Sequence, residues 1–314
     1  MIVIPDDEPA VMSVSSAYSR LSGHEIRLYA SRPSDSEELV GRLQDADVVI
    51  NIRSTTRFTG AVLRRCPRLR LISVWGTGLD HVDLAAAKTL GIRVTNTPGV
   101  SATAVAEHTV ALIMALARGL LQVDREVREG RWPRGMGRQL YGKTLGLVGT
   151  GAIGREVARI AKGIGMRVIG WTFHPAGDAA EWVSLEEVFR QADVVSVHVR
   201  QSTQTVGMIR REHFQLMKPH AIFINTARGP IVCESDLVEA LQARRIAGAG
   251  LDVFEKEPLP PDSPLLKMNN VILTPHAAGI TPEATEAGLE MAIRTALAFL
   301  AENGPGSVKI SRQV

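Results

Sequence analysis

The stretch TLGLVGTGAIGREVARIAKGIG, residues 144–165, decides how the rest of the chain is read. An apolar run ends at Gly149 and gives way to a segment of helical period, so Gly149, Gly151 and Gly154 stand as G-x-G-x-x-G at a strand-to-helix junction. The spacing alone is weak, because 28 glycines in 314 residues produce it by chance roughly 0.2 times per chain. Its context carries the reading. Gly149 permits the tight turn, Gly151 lets the backbone approach a pyrophosphate, and Gly154 lets the helix pack closely on the strand. The helix start then offers free N–H groups and a positive dipole end to phosphates. The next strand, MRVIGW (166–171), arrives at the distance a βαβ unit requires.

That second strand ends in WTFHP, Trp171–Pro175. A carboxylate normally stands there to accept the adenosine ribose hydroxyls and repel a 2′-phosphate. Thr172, Phe173 and His174 stand there instead, with no carboxylate among them. A hydroxyl bonds a ribose oxygen but cannot reject phosphate. Both NAD(H) and NADP(H) are therefore expected as cofactors, NADPH at least comparably to NADH, with the preference itself left open.

Short apolar runs alternate with amphipathic stretches along the whole chain: MIVI, EIRLYA, DVVINI and RLISVW come first. A second series follows, with TLGLVG, MRVIGW, DVVSVHV, AIFINT, AGAGLDV and NVILTP. This is the rhythm of parallel sheets, and two doubly wound α/β domains are expected. Between the series lies NTPGVSATAVAEHTVALIMALARGLLQ, Asn96–Gln122: turn chemistry, then a helix too apolar for a surface position. Near the end, TPEATEAGLEMAIRTALAFLAENG reads as a capped amphipathic helix that crosses back to the first domain. The boundaries expected are 1–97 with 282–314 for one domain and 98–281 for the other.

Three segments at strand ends of the second series each carry one residue suited to carbonyl reduction. They are INTARGPIV with Arg228, LDVFEKEPLP with Glu257 and LTPHAAGIT with His276. Hydride delivery to a ketone builds negative charge on its oxygen, which calls for a proton donor titrating near neutrality, and His is that donor. A carboxylate beside the imidazole orients it, and an Arg fork holds a substrate carboxylate by paired charge-assisted hydrogen bonds.

With these residues in view the chain resembles the D-isomer-specific 2-hydroxyacid dehydrogenases, the family of phosphoglycerate, glyoxylate/hydroxypyruvate and D-lactate dehydrogenases. The resemblance runs from WGTGLDHVDLAAAKTLGIRVTNTPGVSATAVAEHT through LGLVGTGAIG and MKPHAIFINTARGPIV to AGAGLDVFEKEPLP and NVILTPHAAGIT. It implies a Rossmann dinucleotide-binding domain inserted in a flavodoxin-like substrate domain, and an NAD(P)-dependent enzyme that interconverts a small 2-oxoacid and a D-2-hydroxyacid. His276 is then the acid/base, Glu257 its partner and Arg228 the binder of the substrate's carboxylate and carbonyl. Backbone N–H groups of Gly76, Thr77, Gly78 and Leu79 complete the carboxylate site, and Arg53 and Ser54 lie near the substrate's variable end. Asp252 contacts the nicotinamide amide. The cofactor set comprises Gly149, Gly151, Ala152, Ile153, Gly154, Thr172, His174, His198, Val199, Arg200, Thr205, Thr226, Ala227, Asp252 and Ala278.

Three positions depart from the family pattern. His198-Val199-Arg200 stands for His-x-Pro and adds a cation on the adenosine side, Cys233 replaces an Asp, and Ala102 stands where many members have Thr. On the same fold a nucleotide-sensing corepressor is the alternative from another class, but the chain has almost no residues beyond two domains for partner binding. Formate enzymes of this superfamily carry Gln at the position of Glu257, while phosphite is harder to exclude by sequence.

The remaining composition narrows the class. A formal charge of +3 is spread along the chain, and its most basic stretch, LRRCPRLRL (63–71), reads as a solvated helix end before a strand, so neither nucleic acid nor a membrane surface is expected as a partner. Cys66 and Cys233 lie far apart without metal or redox spacing. With no apolar leader in MIVIPDDEPA, this favours the cytoplasm. The apolar helix from about Ser101 to Arg118 and REGRWPRG (128–135), which resembles the family's subunit-clasping segment, point to a homodimer.

Overall fold

The computed structural model describes residues 1–135 and 137–303. The chain forms two compact units, one of Met1–Ser101 with the chain from Thr281, the other of Ala102–Ile280. The crossings thus fall at 101/102 and 280/281, against 97/98 and 281/282 read from the sequence.

The first unit contains β1 (Ile2–Ile4), β2 (Ile26–Leu28), α1 (Ser36–Leu43), β3 (Val48–Asn51), α2 (Gly60–Arg64), β4 (Leu71–Val74), α3 (Leu84–Thr89) and β5 (Arg93–Thr95). The second contains α4 (Ala102–Arg118), α5 (Leu120–Arg128), β6 (Thr144–Val148), α6 (Ala152–Gly163), β7 (Arg167–Trp171), β8 (Glu181–Trp182) and α7 (Leu185–Gln191). It continues with β9 (Val194–Val197), α8 (Arg211–Leu216), β10 (Ile222–Asn225), α9 (Glu234–Gln242), β11 (Gly248–Leu251) and β12 (Val271–Leu273). The chain then returns to the first unit as α10 (Pro282–Asn303).

The first sheet has the order β2-β1-β3-β4-β5, every pair parallel, which is the flavodoxin-like order. Its strands are covered on both faces, so they read as continuous apolar runs. Ile2, Ile4, Val48, Ile50 and Leu71 pack with Leu289, Ala292, Ile293 and Phe299 of α10, while Val3, Val49 and Ile72 pack with residues of α1 to α3 on the other face. Thr281 starts α10 as expected: its hydroxyl accepts the Ala284 N–H at 3.2 Å.

The second sheet has the order β12-β11-β10-β9-β6-β7-β8, also parallel throughout, with the strand order reversing between β6 and β9. Ligands of such sheets bind outside the carboxyl strand ends at that reversal. The glycine loop follows β6 and His198 follows β9, so the two flank it.

Helix α4 buries Ala106, Thr109, Leu112 and Ile113 within its own unit, packing on α6 and the sheet. The cover that its composition demands is therefore supplied internally. No residue of α5 is buried. No single helix among the described residues is long and apolar enough to cross a membrane.

Candidate active site

The three catalytic candidates meet because two loops are held against each other. At the end of β10, Asn225 is buried; its Oδ1 accepts the Ala227 N–H at 3.0 Å and its Nδ2 donates to the Arg228 carbonyl at 3.0 Å. The next residue, Gly229, abuts the loop after β11 so closely that a Cβ there would lie 1.9 Å from the Phe254 carbonyl. Only glycine fits. Beyond Phe254 the same loop supplies Glu257, whose Oε1 accepts the Phe254 N–H at 3.0 Å and whose Oε2 lies 2.7 Å from Nδ1 of His276.

Burial by itself would raise the Glu257 pKa. The His276 hydrogen bond and charge, the Phe254 N–H and the nearby Arg228 charge outweigh it and bring the carboxyl below its ordinary value. An ionised Glu257 can only accept, so Nδ1 of His276 carries its proton and Nε2 is the atom left to exchange one with a substrate. Arg228 is thus close enough for its charge to act on Glu257, while its Nη1 donates to the Ala227 carbonyl at 2.8 Å.

His276 sits in the left-handed region with φ 54°. For a residue with a Cβ this costs about 1–2 kcal/mol. Asp252, at the end of β11 and 1% exposed, holds the segment there. Its backbone carbonyl accepts the His276 N–H at 2.7 Å, and its carboxylate accepts the N–H groups of Ala277 and Ala278, both at 2.9 Å. The Thr274 hydroxyl donates to Oδ1 of the same carboxylate at 2.6 Å, and His108 of α4 lies 3.0 Å from that hydroxyl. Bonds to a charged acceptor contribute about 1.5–3 kcal/mol each, enough to offset the strain. The sequence reading did not single out Asn225, Thr274 or His108.

The glycine loop fits a dinucleotide. Gly149 has φ 102° and a Cβ on it would lie 2.6 Å from the Val199 nitrogen, while one on Gly154 would lie 2.2 Å from the Gly149 carbonyl. A Cβ on Gly151 would meet nothing within 4 Å. The strand and helix are thus pressed together, and the space beside Gly151 stays open for a phosphate at the start of α6. Ala152 and Ile153 continue from it as the first turn of that helix.

Other expected cofactor residues are placed differently. Thr205 is 1% exposed; its hydroxyl donates to the Arg200 carbonyl and accepts the Ser202 N–H, both at 2.7 Å, so it shapes its own loop. Buried Thr226 has its hydroxyl 2.9 Å from that of Thr109, which donates to Val105. Asp252 and Ala278 are likewise engaged with each other. These side chains are drawn to protein partners because burial leaves no polar atom free to wait for a ligand without cost. Ala227 has its N–H on Asn225.

His198 has Nε2 2.9 Å from the Ser196 hydroxyl and Nδ1 sealed from solvent without a partner. Burial lowers its pKa to about 3, so it is neutral and adds no charge to the phosphate site. At the end of β7, Thr172 is half-buried, Phe173 stacks edge-on against Trp171 at 4.9 Å, and His174 and, after β9, Arg200 are exposed.

In the first unit, the Gly76 N–H is spent on the Thr97 hydroxyl at 2.7 Å, which removes it from the expected carboxylate donors. The N–H groups of Thr77, Gly78 and Leu79 meet no protein acceptor among the described residues. Trp75 turns away from this loop toward α10, where its Nε1 donates to the Thr285 carbonyl at 3.3 Å and a Cβ on Gly288 would collide with it. Arg53 is partly buried, bonded to the Pro9 carbonyl, with Nε sealed and unpartnered; Ser54 is exposed. Desolvation lowers the Arg53 pKa against the opposing pull of Asp6 and Asp7.

Residues 110–278 match the family model described as "D-isomer specific 2-hydroxyacid dehydrogenase, NAD binding domain". A glyoxylate reductase of Korarchaeum cryptofilum is 41% identical over 278 residues, covering 85% of this chain and 83% of the relative. Among solved structures, a D-lactate dehydrogenase from Aquifex aeolicus complexed with NAD and lactic acid superposes with a TM-score of 0.86 at 30% identity, covering 100% of both chains. An acyclic imino acid reductase (Bsp5) in complex with NADPH and D-Arg gives 0.89 at 31% identity, covering 98% of this chain and 99% of that one.

Proposed function

Because the chain belongs to the D-isomer-specific 2-hydroxyacid dehydrogenase family, we propose that His276, Glu257 and Arg228 carry out its NAD(P)-dependent interconversion of a small 2-oxoacid and a D-2-hydroxyacid. The observation that carries this reading is the 2.7 Å bond between His276 and Glu257 with Arg228 beside it. The nicotinamide, when bound, supplies the hydride for reduction and receives it in oxidation. Arg228 holds the substrate's carboxylate with its planar fork. As the oxo oxygen gains negative charge, Nε2 of His276 gives it a proton, and Glu257 stabilises the imidazolium that does so. In the reverse direction neutral Nε2 takes the hydroxyl proton.

Glyoxylate and hydroxypyruvate are the proposed substrates, glyoxylate in keeping with the name of the 41% identical Korarchaeum cryptofilum relative. Both cofactors are used, NADPH at least comparably, since no carboxylate stands at Thr172. A reductase screen of glyoxylate, hydroxypyruvate, pyruvate, phenylpyruvate and 2-oxoglutarate with NADH and NADPH tests this. Turnover of glyoxylate or hydroxypyruvate, abolished in His276→Ala with cofactor binding retained, is the expected result; an active His276→Ala overturns the assignment.

The protein is also proposed to be a homodimer of the cofactor-binding units, working in the cytoplasm, where Cys66 and Cys233 stay as the free thiols they are here. A cluster of exposed apolar side chains lies on α5 and the segment after it. Leu120, Leu121, Val127, Trp132 and Tyr141 are all exposed, Trp132 by 77%. Of these, Leu121 and Tyr141, with Val123 and Leu266, help to line a surface cavity of about 1270 Å³.

A further inference from the structure

His108 lies on α4, outside the loops that carry the catalytic candidates, yet it ends a hydrogen-bond chain that leads to them. The Thr274 hydroxyl has one proton, and the Asp252 carboxylate at 2.6 Å takes it. The hydroxyl oxygen must then accept from Nε2 of His108, 3.0 Å away, which places the imidazole proton on Nε2. Three groups thus point the same way: His108 Nε2–H to Thr274 Oγ1–H to Asp252 Oδ1. That carboxylate receives the N–H groups of Ala277 and Ala278, the two residues that follow His276. His276 itself is held at φ 54°, with its N–H on the Asp252 carbonyl.

We propose that His108 is a positioning residue for the reaction, fixing the direction of the Thr274 hydroxyl and, through Asp252, the backbone on which His276 is mounted. This rests on the assignment of His276 as the acid/base. Without the His108 donor, the Thr274 hydroxyl is free to rotate to another acceptor. Oδ1 of Asp252 then loses a short bond, and the carboxylate is free to turn about its Cβ. The two amides it holds turn with it, and His276 leaves the plane in which Nε2 meets the carbonyl oxygen. A displacement of about 1 Å at a reacting group costs up to ~10² in rate. A partial loosening is expected to cost about tenfold.

The test uses the full-length protein with its best oxoacid from the screen, at saturating cofactor. His108→Leu is expected to lower kcat about tenfold, with the dissociation constant for NADPH or NADH, read by nicotinamide fluorescence, within twofold of wild type. His108→Gln, whose side-chain amide reaches the same point, is expected to restore kcat to within about threefold. Thr274→Val breaks the chain one link further on and guards against misfolding of any one variant. The double variant His108→Leu/Thr274→Val is expected to be no slower than the slower single variant, because both remove the same connection. A role in stability alone lowers Tm without this pattern in kcat. Full activity of His108→Leu beside an inactive His276→Ala overturns this inference while leaving the acid/base reading intact; activity of His276→Ala overturns both. Equal losses for Gln and Leu, or multiplying losses in the double variant, also overturn it.

Discussion

Acid should weaken the second unit in part through the imidazole of His198. Burial holds it neutral in the folded protein, with a pKa of about 3 in place of the ordinary 6.5. The folded value lies below the unfolded one, so below pH 6.5 the unfolded chain binds a proton that the native state does not. The stabilisation is complete above that pH and is lost progressively as the pH falls toward about 3. One proton corresponds to about 1.4 kcal/mol per pH unit, so lowering the pH from about 7.5 to about 5 removes roughly 2 kcal/mol, and any native value below about 4 gives the same figure. For a unit of this size that is roughly 4–8 °C in Tm. The comparison variant is His198→Gln, which retains a group able to bond the Ser196 hydroxyl but does not titrate. Calorimetric melting of wild type and variant at both pH values gives the answer by difference, since carboxylates that titrate in both proteins cancel. Wild type should lose about 4–8 °C more than the variant. Equal losses in the two would show that the native imidazole protonates freely, and the burial argument would fail.

Arg228→Lys should lose nearly as much kcat/KM as Arg228→Ala, because an ammonium cannot reproduce a planar two-donor fork; unchanged kinetics for every oxoacid would refute this. Thr172→Asp should move the ratio of kcat/KM values toward NADH by roughly tenfold or more, a like-charge penalty of about 1.4 kcal/mol against the 2′-phosphate, measured with one oxoacid and both cofactors. Light scattering at micromolar concentration should give twice the 34.0 kDa of one chain, and Trp132→Asp should shift that mass toward the monomer. Gly154→Ala should lower both Tm and cofactor affinity, since its Cβ would lie 2.2 Å from the Gly149 carbonyl; a variant that melts and binds like wild type would mean that helix and strand separate there without cost.

Two doubly wound parallel sheets, the dinucleotide loop and the triad types at successive strand ends were all legible in the residues, because each is written in short-range pattern. A strand buried on both faces is a continuous apolar run, and Gly149, Gly151 and Gly154 answer to distances within one turn. The edge strands β5 and β8 were not legible. Arg93–Thr95 and Glu181–Trp182 are too short and too polar to stand out, and they become strands only because a neighbouring strand offers hydrogen bonds. Side-chain roles were decided by contacts between segments far apart in the chain. Thr205, Thr226 and Asp252 sit where cofactor residues were expected, but folding buries them and gives their polar atoms protein partners. His108 and Thr274 are 166 positions apart, and no local period relates them. A pattern of residues records which face of an element is buried; which distant group then meets a given donor depends on topology, and that is decided only when the sheets are assembled.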